Sequence, residues 1–556
     1  MQIIIPMSGI GQRFLAAGYR DPKPLIQVDG RSIIEHVVAM FPGENNFLFI
    51  CNREHLEKTA MREVLERVAP SGRIVAIEPH KRGPVHAVLE VSDLIDDEDE
   101  AIVNYCDFSC LWDYPDFLRH TRDRHAFGAV PAYRGFHPHM LGPTNYAFMR
   151  DSDQWLLEIK EKEPFTDNRM QEFASSGTYY FQSGALVKRY FQETINRDLN
   201  LKGEYYVSLV YNLLVRDGLP VSIYEIEHML QWGTPQDLEE YQRWSDYFRV
   251  RPYPTPPLAP EPGSVNLIPL AGAGNRFVQE GYQVPKPLID VSGKPMIVQA
   301  VDSLPRAEKH VFLCLGRHLD DYPLETSIRQ GYPEARIERV DALTQGQACT
   351  CELGMAETDS EAPLLIAACD NGMIWDGEAY QALRSQEGVD AIVFSFRHHP
   401  SSQRNPQMYG WLEVDETGTV RRCSVKIPIS DDPFDDHAIV GTFYFKKARY
   451  FTEALAGLYR KNIRVNGEFY VDSCINELIE QGLTVKVFEL EHYICWGTPN
   501  DLRTYQYWQR FFHRWPYHPY SLELDPTIES SRLSEVAVDL DRRMVGLNRE
   551  SGVRSC

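Results

Sequence analysis

Near its start the chain reads Ile5-Pro6-Met7-Ser8-Gly9-Ile10-Gly11-Gln12-Arg13-Phe14 and continues to Asp21-Pro22-Lys23-Pro24-Leu25-Ile26. An apolar run, Ile3–Ile5, leads into this segment and predicts a buried strand. The glycines of the following turn let backbone N–H groups face an anion with no Cβ in the way. Arg13 and Lys23 then add two cations beside that turn. The segment therefore predicts a phosphate-binding turn at the end of a strand.

The same segment recurs in the second half of the chain, where it reads Leu267-Ile268-Pro269-Leu270-Ala271-Gly272-Ala273-Gly274-Asn275-Arg276-Phe277 and leads to Val284-Pro285-Lys286-Pro287-Leu288-Ile289. The offset is 263 residues for both the arginine (13 to 276) and the lysine (23 to 286). Later residues, such as Trp232 and Trp496, keep this offset to within one residue. A period of this length indicates a tandem of whole domains.

Hydrophobic periodicity predicts the elements of the first half. Arg73–Ile77 and Gly128–Tyr133 read as strands, and Glu54–Val68 reads as one amphipathic helix. Strands and helices alternate in this way through residues 1–250, which is typical of an α/β fold with a mixed, mostly parallel sheet covered by helices.

Domain boundaries follow from composition. Residues 251–263 contain six prolines and predict a stiff linker. We therefore predict a first domain at 1–250 and a second at 264–520. Residues 521–556 are polar, and we expect this C-terminal tail to be loosely held.

The overall composition excludes several classes of protein. The 556 residues are 43% hydrophobic and 24% charged, as in globular chains. A net charge of −22 argues against a nucleic-acid partner. We expect no membrane partner, because no apolar run approaches the roughly 20 residues of a membrane helix. A start directly in a strand and eleven scattered cysteines, expected to be reduced, predict a cytoplasmic protein.

An aspartate follows a buried strand in each half, at Asp107 and at Asp370. The carboxyl end of a parallel strand is where open α/β sheets bind ligands. Carboxylate oxygens suit a Mg²⁺ ion that bridges phosphates, so these two residues are the predicted metal ligands. The alternative is an ordinary turn or helix-capping aspartate.

The glycine turn does not match a dinucleotide fingerprint or a P-loop. Together with Pro-Lys-Pro-Leu-Ile, it resembles the signature of the sugar-nucleotide pyrophosphorylases, nucleotidyltransferases that join an NTP to a sugar phosphate. Residues 466–472 and 494–502 are similar to the branch found in capsule and surface-polysaccharide pathways. The resemblance covers nearly all of 1–250 and 265–520. It implies two tandem Rossmann-like, GT-A-like nucleotidyltransferase domains.

The resemblance also implies an activity and its residues. Each domain would transfer a nucleotidyl group from an NTP to a phosphorylated sugar, or a small phosphorylated alcohol, and release pyrophosphate. Arg13 and Arg276 would steady the pyrophosphate, and Lys23 and Lys286 would hold phosphate oxygens near the α position. The implied nucleotide-binding residues are Met7, Ser8, Gly9, Gly11, Gly83, Leu270, Ala271, Gly272, Gly274, Gln345 and Gly346. The implied acceptor-binding residues are Glu161, Lys162, Glu204, Gly410, Lys426, Glu468 and Asp472.

The two halves depart from the family pattern at specific places. Gln231 and Cys495 stand where the family has a second metal carboxylate, and Asp237 and Asp501 are nearby substitutes. The acceptor positions also differ between the halves. The first half has Ala147, Glu161 and Ser208 where the second has Gly410, Val425 and Asp472.

Two alternatives stay open. In one, a single domain is catalytic and the other is a nucleotide- or sugar-sensing or assembly module. In the other, the chain is a glycosyltransferase of related fold, but neither Asp107-Phe108-Ser109 nor Asp370-Asn371-Gly372 supplies the Asp-x-Asp metal motif of that chemistry. The sequence leaves open the nucleobase, the acceptor and whether a homo-oligomer forms.

Overall fold

The computed structural model describes residues 1–251 and 258–549, with side chains to residue 541. The chain divides into two compact units. Unit 1 comprises Met1–Asp246, Tyr507–Pro519 and the chain from Asp539, and unit 2 comprises Tyr247–Gln506 and Tyr520–Val538. Residues 252–257 of the predicted linker lie outside the described residues. Its last three residues, Glu261-Pro262-Gly263, open a strand of unit 2.

The main sheet of unit 1 is built around its first strand. The strands of the unit are β1 (Gln2–Met7), β2 (Gln27–Val28), β3 (Arg31–Ser32), β4 (Phe47–Asn52), β5 (Arg73–Ile77), β6 (Ala101–Asn104), β7 (Phe108–Leu111), β8 (Gly128–Tyr133), β9 (Ala147–Ser152), β10 (Trp155–Glu161), β11 (Phe173–Ser175), β12 (Thr178–Phe181), β13 (Val221–Glu225) and β14 (His228–Gln231). The sheet runs in the order β11-β9-β10-β13-β8-β12-β6-β1-β4-β5. Strands β5, β4, β1 and β6 are parallel, and β12 is antiparallel to β6.

Strand β1 lies in the middle of the parallel part because it is apolar on both faces. Ile3, Ile4 and Ile5 are completely buried between β4 and β6. A strand covered on both faces has this continuous apolar pattern. Its carboxyl end therefore opens beside the ends of β4 and β6, at the edge where α/β sheets bind ligands.

Helices cover both faces of this sheet. They are α1 (Gln12–Ala16), α2 (Ile33–Ala39), α3 (Arg53–Lys58), α4 (Met61–Val68), α5 (Pro84–Leu89), α6 (Tyr114–Asp123), α7 (Gly184–Asn196), α8 (Val207–Arg216) and α9 (Pro235–Val250), of which α9 ends in unit 2. The single helix predicted over 54–68 is broken into α3 and α4. The Thr59 hydroxyl bonds to the His55 carbonyl at 2.6 Å, and the backbone at Thr59 is extended. Such local side-chain bonds compete with the helical pattern.

Unit 2 repeats this order of elements. Its strands are β15 (Glu261–Leu270), β16 (Asp290–Val291), β17 (Lys294–Pro295), β18 (Ala307–Leu315), β19 (Arg336–Val340), β20 (Leu364–Ala367), β21 (Asn371–Ile374), β22 (Ala391–Phe396), β23 (Gly410–Val414), β24 (Val420–Val425), β25 (His437–Phe445), β26 (Val485–Glu489) and β27 (His492–Cys495). The main path is β19-β18-β15-β20-β25-β22-β26, and the β23–β24 hairpin pairs with β25. This is the order of β5-β4-β1-β6-β12-β8-β13 in unit 1.

The helices of the second half are α10 (Asn275–Gln279), α11 (Met296–Asp302), α12 (Gly316–Asp321), α13 (Leu324–Gly331), α14 (Gln347–Leu353), α15 (Gly377–Ser385), α16 (Pro400–Arg404), α17 (Ala448–Lys461), α18 (Val471–Glu480), α19 (Pro499–Arg514) and α20 (Leu533–Arg549). From Tyr507 onward α19 belongs to unit 1, and α20 passes from unit 2 into unit 1 at Asp539. Among the described residues, no helix combines the length and apolar character needed to cross a membrane.

Unit 1 includes a segment that is distant in sequence. Residues 507–519 carry aromatic side chains, and Tyr507, Phe511 and Phe512 are completely buried. Arg510, also buried, donates a hydrogen bond to His228 Nε2 at 3.0 Å and forms an ion pair with Asp541 at 3.0 Å. Unit 1 is therefore not the contiguous segment 1–250 of the sequence prediction, because its core draws on residues 507–519.

The expectation of a loosely held tail is wrong for residues 521–541. Within unit 2, Leu522 and Ile528 are buried. Asp525 accepts a hydrogen bond from Arg251 at 2.5 Å, and both side chains are almost fully buried. Burial would raise the pKa of Asp525, but the Arg251 guanidinium and Thr527 hold it below its usual range. A mainly polar composition concealed these few anchoring residues.

The buried histidines of unit 1 predict a loss of stability in mild acid. Burial lowers the pKa of His137 to about 3, and the same cause lowers the pKa of His228, which Arg510 lowers further. An unfolded histidine binds a proton below a pH of about 6.5, whereas the folded His137 stays neutral. Protons therefore favour the unfolded state as the pH falls, and His137 alone would reduce the free energy of unfolding by about 2 kcal/mol between pH 7.5 and pH 5.

Urea-induced unfolding at these two pH values, followed by tryptophan fluorescence, measures the loss. His137→Asn should reduce the pH dependence of the unfolding free energy by about 2 kcal/mol. His125→Asn, the same substitution at an exposed histidine, serves as the control and should retain it. Equal pH dependence in the two variants would contradict the prediction.

Candidate active site

A cavity of about 610 Å³ opens in unit 1 at the carboxyl ends of β1 and β6. The turn after β1, the 3-10 helix Lys23–Leu25, the start of α5 and the ends of β6 and β10 all contribute to it. Every predicted site residue of the first half lines this cavity: Met7, Ser8, Gly9, Gly11, Arg13, Lys23, Gly83, Asp107, Glu161, Lys162 and Glu204. Residues from widely separated parts of the sequence are thus brought into one site.

The glycine turn holds its shape without close neighbours. Gly11 has a φ of 72°, in the left-handed region that glycine adopts at little cost, and it begins α1. Gly274 has the corresponding φ of 63° at the start of α10. A Cβ at Gly9 or Gly11 would meet nothing within 4 Å. The backbone there is accessible to a ligand, as a phosphate-binding turn requires.

A lysine–aspartate ion pair lines the unit 1 cavity. The Lys23 ammonium donates a hydrogen bond to Asp107 Oδ2 at 2.8 Å and another to the Gly233 carbonyl at 3.4 Å. Burial would lower the pKa of Lys23, but the Asp107 carboxylate opposes this, and the net shift is upward. Lys23 therefore remains a cation in this largely enclosed position.

Unit 2 contains the same pair. The Lys286 ammonium donates to Asp370 Oδ2 and, at 3.0 Å, to the Gly497 carbonyl. Burial and the Asp370 carboxylate again act in opposite directions on the pKa of Lys286, and the net shift is upward. A second cavity of about 290 Å³ surrounds this pair and is also lined by Arg276.

The oxygen donors of unit 1 fit a Mg²⁺ ion. A Cβ at Gly233 would lie 2.6 Å from Gln231 Nε2 and 3.2 Å from Asp107 Oδ2, so the end of the amide and the carboxylate adjoin the same small space. Mg²⁺ is commonly held by one or two protein oxygens, with substrate phosphates and water completing its shell. Asp107 supplies one such oxygen, and Gln231 would supply a second once its amide is rotated, because its nitrogen faces this space.

The corresponding donors of unit 2 fit Mg²⁺ less well. The Cys495 thiol lies 3.4 Å from Asp501 Oδ2, and burial together with Asp501 and Asp370 raises its pKa well above the usual range. A protonated thiol is a poor ligand for a hard cation. Asp370 is therefore the main protein ligand that unit 2 could offer.

Asp237 and Asp501 are held at the starts of helices. The Thr234 hydroxyl donates to Asp237 at 2.6 Å before α9, and the Thr498 hydroxyl donates to Asp501 at 2.6 Å before α19. The backbone N–H of each aspartate bonds back to its threonine at 3.2 Å. This reciprocal arrangement caps a helix, which accounts for both aspartates without a metal.

Gly83 and Gly346 are required by backbone packing. Gly83 has a φ of 86°, and a Cβ there would lie 2.6 Å from the Tyr205 nitrogen. Tyr205 N–H donates to the Arg82 carbonyl at 2.9 Å. Gly346, with a φ of 127°, approaches the Phe469 nitrogen in the same way. Gly83 also lines the unit 1 cavity, so packing and ligand contact coincide there.

Several predicted residues of the second half do not line the unit 2 cavity. They are Leu270, Ala271, Gly272, Gly274, Gln345, Gly346 and Glu468, whereas Arg276, Lys286, Asp370, Gly410, Lys426 and Asp472 do line it. Gln345 is engaged elsewhere, because its side-chain oxygen accepts a hydrogen bond from Arg464 at 2.6 Å. Gly274 nevertheless lies beside Lys286, since its Cβ position is 3.3 Å from the Lys286 Cβ.

The predicted acceptor side of unit 1 is polar. Glu161 accepts a hydrogen bond from Ser208 at 2.6 Å, and burial raises its pKa although the Ser208 bond acts the other way. The Lys162 ammonium donates to the Tyr206 hydroxyl at 2.7 Å, and this hydroxyl donates to Glu204 at 2.6 Å. The cavity is also lined by Asn145, Ser175, Ser176 and Tyr206, which the sequence analysis did not identify. Aligning the two halves would have marked 175 and 176, which are serines in one half and aliphatic in the other.

The predicted acceptor side of unit 2 has its carboxylate on a different element. Asp472 lies in the first turn of α18, and a Cβ at Gly410 would collide with its carboxylate. Burial raises the pKa of Asp472, and the Lys426 ammonium opposes this. Lys426 itself donates to the Met408 carbonyl at 2.8 Å.

One further group of potential ligands lies near the unit 1 cavity. In the described part of the chain, His80, His86 and Glu90 are the set of three whose ligand atoms lie within 4.8 Å of one another. His80 Nδ1 accepts a hydrogen bond from Arg82 N–H at 3.1 Å. This hydrogen bond occupies the Nδ1 lone pair, so that atom is not free to coordinate a metal. This group is better explained as holding the segment before α5.

Sequence comparison relates part of the chain to known proteins. Residues 2–206 match the family model described as nucleotidyl transferase. The chain is 25% identical over 233 residues to the bifunctional protein GlmU of Alkaliphilus metalliredigens, covering 41% of this chain and 47% of that protein. It is 25% identical over 246 residues to the low-salt glycan biosynthesis nucleotidyltransferase Agl11 of Haloferax volcanii, covering 42% of this chain and 62% of that protein. Both alignments span less than two thirds of the relative.

Structural comparison gives matches of similar extent. The nucleoside-diphosphate-sugar pyrophosphorylase from Vibrio cholerae RC9 aligns with a TM-score of 0.37 and 23% identity, covering 44% of this chain and all of that one. The inositol-1-phosphate CTP transferase from T. maritima aligns with a TM-score of 0.36 and 16% identity, covering 44% of this chain and 94% of that one.

Substitution by alanine should have a large effect on stability at one glycine of the site and a small effect at another. Gly83→Ala should lower the free energy of unfolding by about 2 kcal/mol or more, because the residue has positive φ and its Cβ would strike the Tyr205 backbone. Gly9→Ala should change it by less than about 0.5 kcal/mol, since its Cβ meets nothing within 4 Å. Chemical denaturation of both variants measures the difference, and equal stability of the two would contradict the packing role of Gly83.

Proposed function

We propose that the chain is a nucleotidyltransferase with two tandem Rossmann-like, GT-A-like domains. Each transfers the nucleotidyl group of an NTP to a phosphorylated sugar or a small phosphorylated alcohol. The observation that carries the proposal is the lysine–aspartate pair beside a glycine turn, Lys23 with Asp107, which recurs as Lys286 with Asp370. The family match over residues 2–206 supports it for the first domain.

The reaction needs positioned charge more than a protein nucleophile. A phosphate oxygen of the acceptor forms a bond to the α-phosphorus while the bond from that phosphorus to the β-bridging oxygen breaks. Pyrophosphate leaves with the electron pair. Such transfers are catalysed mainly by alignment and by neutralisation of the phosphate charges. This accounts for a site composed of cations and backbone N–H groups.

Each residue has a role in that scheme. The turn at Gly9–Gly11 receives the nucleotide phosphates, Arg13 steadies the leaving pyrophosphate and Lys23 approaches the α-phosphate. A Mg²⁺ ion on Asp107 would neutralise phosphate charge. Glu161 and Lys162 bind the acceptor, where the carboxylate can accept hydrogen bonds from hydroxyl groups and the ammonium can meet the phosphate.

We further propose that the product feeds surface-polysaccharide assembly in the cytoplasm. One relative with 25% identity is a nucleotidyltransferase of glycan biosynthesis. The ten cysteines that the structure describes are unpaired, as is usual in a reducing compartment.

A second candidate function is that unit 2 binds nucleotide without turning it over. The neutral Cys495 thiol in place of a carboxylate and the smaller cavity favour it. In this reading unit 2 is a sensing module and chemistry occurs in unit 1 alone.

Pyrophosphate release by the full chain tests these assignments, with four NTPs against a panel of sugar 1-phosphates and phospho-alcohols. Lys23→Ala and Lys286→Ala should each reduce one activity by about 100-fold or more, because each removes a cation that acts on the transition state. The double variant should lose both. Exposed lysines provide the controls Lys58→Ala and Lys309→Ala, which should be fully active.

The outcomes separate the candidates. Two activities with separate lysine dependence support two catalytic units. Unchanged turnover in Lys286→Ala, with nucleotide still bound at unit 2, supports the sensing module. Full pyrophosphate release by the double variant would rule out the proposed mechanism.

A further inference from the structure

The acceptor walls of the two cavities differ in chemistry at matching positions. Strand β10 ends at Glu161, and its counterpart β24 ends at Val425. The pair Ser175-Ser176 precedes Gly177, which has a φ of 102°, and the pair Ile439-Val440 precedes Gly441, which has a φ of 91°. All of these residues line their own cavity. A polar wall in unit 1 is thus an aliphatic wall in unit 2.

The carboxylate of this wall lies on a strand in unit 1 and on a helix in unit 2. In unit 1 it is Glu161 on β10, and a serine, Ser208, stands on α8. In unit 2 the strand position is Val425, and Asp472 stands on α18 at the place of Ser208. The two helices begin in the same way, at Val207 and at Val471, one residue before the exchanged position.

The size of a neighbouring residue compensates for this difference in the position of the carboxylate. Gly410 leaves space that the Asp472 carboxylate occupies, and a Cβ there would collide with it. Unit 1 has Ala147 at the matching position, opposite the smaller Ser208. In unit 2 the smaller Gly410 faces the larger Asp472, and in unit 1 Ala147 faces Ser208. The combined side-chain volume is therefore similar in the two units, and the exchange preserves close packing.

The Asp472 carboxylate has unused capacity to accept hydrogen bonds. Glu161 accepts from the Ser208 hydroxyl, whereas among the described residues the hydrogen bond that Asp472 accepts comes from its own backbone N–H. Lys426, the nearest cation, donates to the Met408 carbonyl instead. A carboxylate that lines a cavity and has acceptor sites left over favours a ligand that supplies a donor.

We propose that Asp472 determines the acceptor of unit 2, which is a phosphorylated small alcohol whose hydrogen-bond donor meets this carboxylate, while unit 1 takes a polyhydroxylated sugar phosphate. The inference rests on the proposed function. The aliphatic wall of Val425, Ile439 and Val440 offers no partner to the further hydroxyls of a hexose. Lys426 remains available for the acceptor phosphate, as Lys162 does in unit 1.

The test uses the full chain with one unit inactivated. Lys23→Ala inactivates unit 1, so that the activity of unit 2 is measured, and Lys286→Ala inactivates unit 2, so that the activity of unit 1 is measured. The acceptors are a hexose 1-phosphate, a phosphorylated three-carbon polyol and its deoxy analogue without the free hydroxyls. Pyrophosphate release gives kcat/KM, and calorimetry gives acceptor binding in the presence of the NTP.

Unit 2 should prefer the polyol phosphate to the hexose phosphate by at least tenfold, and unit 1 should show the opposite order. Asp472→Ser should lower kcat/KM for the polyol phosphate by about 100-fold and remove the preference for the polyol phosphate over its deoxy analogue, because a hydrogen-bonding site discriminates against a ligand lacking the group.

The double variant Gly410→Ala/Asp472→Ser restores the small-residue pairing of unit 1 and serves to separate lost packing from lost hydrogen bonding. It should discriminate as poorly as Asp472→Ser while unfolding at the wild-type temperature.

A gain of function completes the test. Adding Val425→Glu, Ile439→Ser and Val440→Ser to the double variant should shift the preference of unit 2 toward the hexose phosphate by at least tenfold.

Three results would overturn the inference: a preference of unit 2 for the hexose phosphate, unchanged discrimination in Asp472→Ser, or no binding of any of these acceptors at unit 2. Failure of the proposed function would look different, since the wild-type chain would then release no pyrophosphate with any NTP and acceptor. In that case Asp472-dependent binding in the calorimeter still decides whether the acceptor assignment is right.

Discussion

The ion pair between Lys23 and Asp107 is the interaction on which the site depends. Strands β1 and β6 are parallel neighbours, with Ile3 opposite Ile102, so the turn that follows one strand and the aspartate that follows the other meet at one edge of the sheet. Burial alone would favour loss of the lysine proton, and the carboxylate keeps the cation in place. A charge fixed before the substrate arrives needs little reorganisation during the reaction. The same geometry in unit 2 follows from the same strand order.

The acceptor sides diverge around this constant core. Their walls are built by β10 and α8 in unit 1 and by β24 and α18 in unit 2, at some distance in sequence from the lysine and the aspartate. Substitutions there change hydrogen bonding and shape without disturbing the ion pair. The coupled exchange of Ala147 and Ser208 for Gly410 and Asp472 illustrates how close packing constrains such changes to occur together. The lysine–aspartate pair is thus the same in both units while the walls around it differ.

Much of the fold could be predicted because its signals are local. The strands over 73–77 and 128–133 occur as predicted, since short apolar runs bounded by turns identify strands. The helix over 54–68 was predicted as one element, but the side chain of Thr59 bonds back to the chain and divides it. The tail was expected to be loose because it is polar, but Asp525 is neutralised by Arg251 within the core of unit 2. Composition predicts neither the hydrogen bond of the Thr59 side chain nor the pairing of Asp525 with the distant Arg251.

The sequence by itself determined the repeat, the two glycine turns and the residues of the lysine–aspartate pairs, because the same residue types recur at the same spacing in both halves of the chain. Only the tertiary structure decided what those residues contact. It assigned Gly83 to packing against Tyr205, brought residues 507–519 into unit 1 and placed Val425, Ile439 and Val440 along the unit 2 cavity. The reason is physical: a side chain's role depends on neighbours that come from distant strands and helices, and their approach is set by packing of the whole unit.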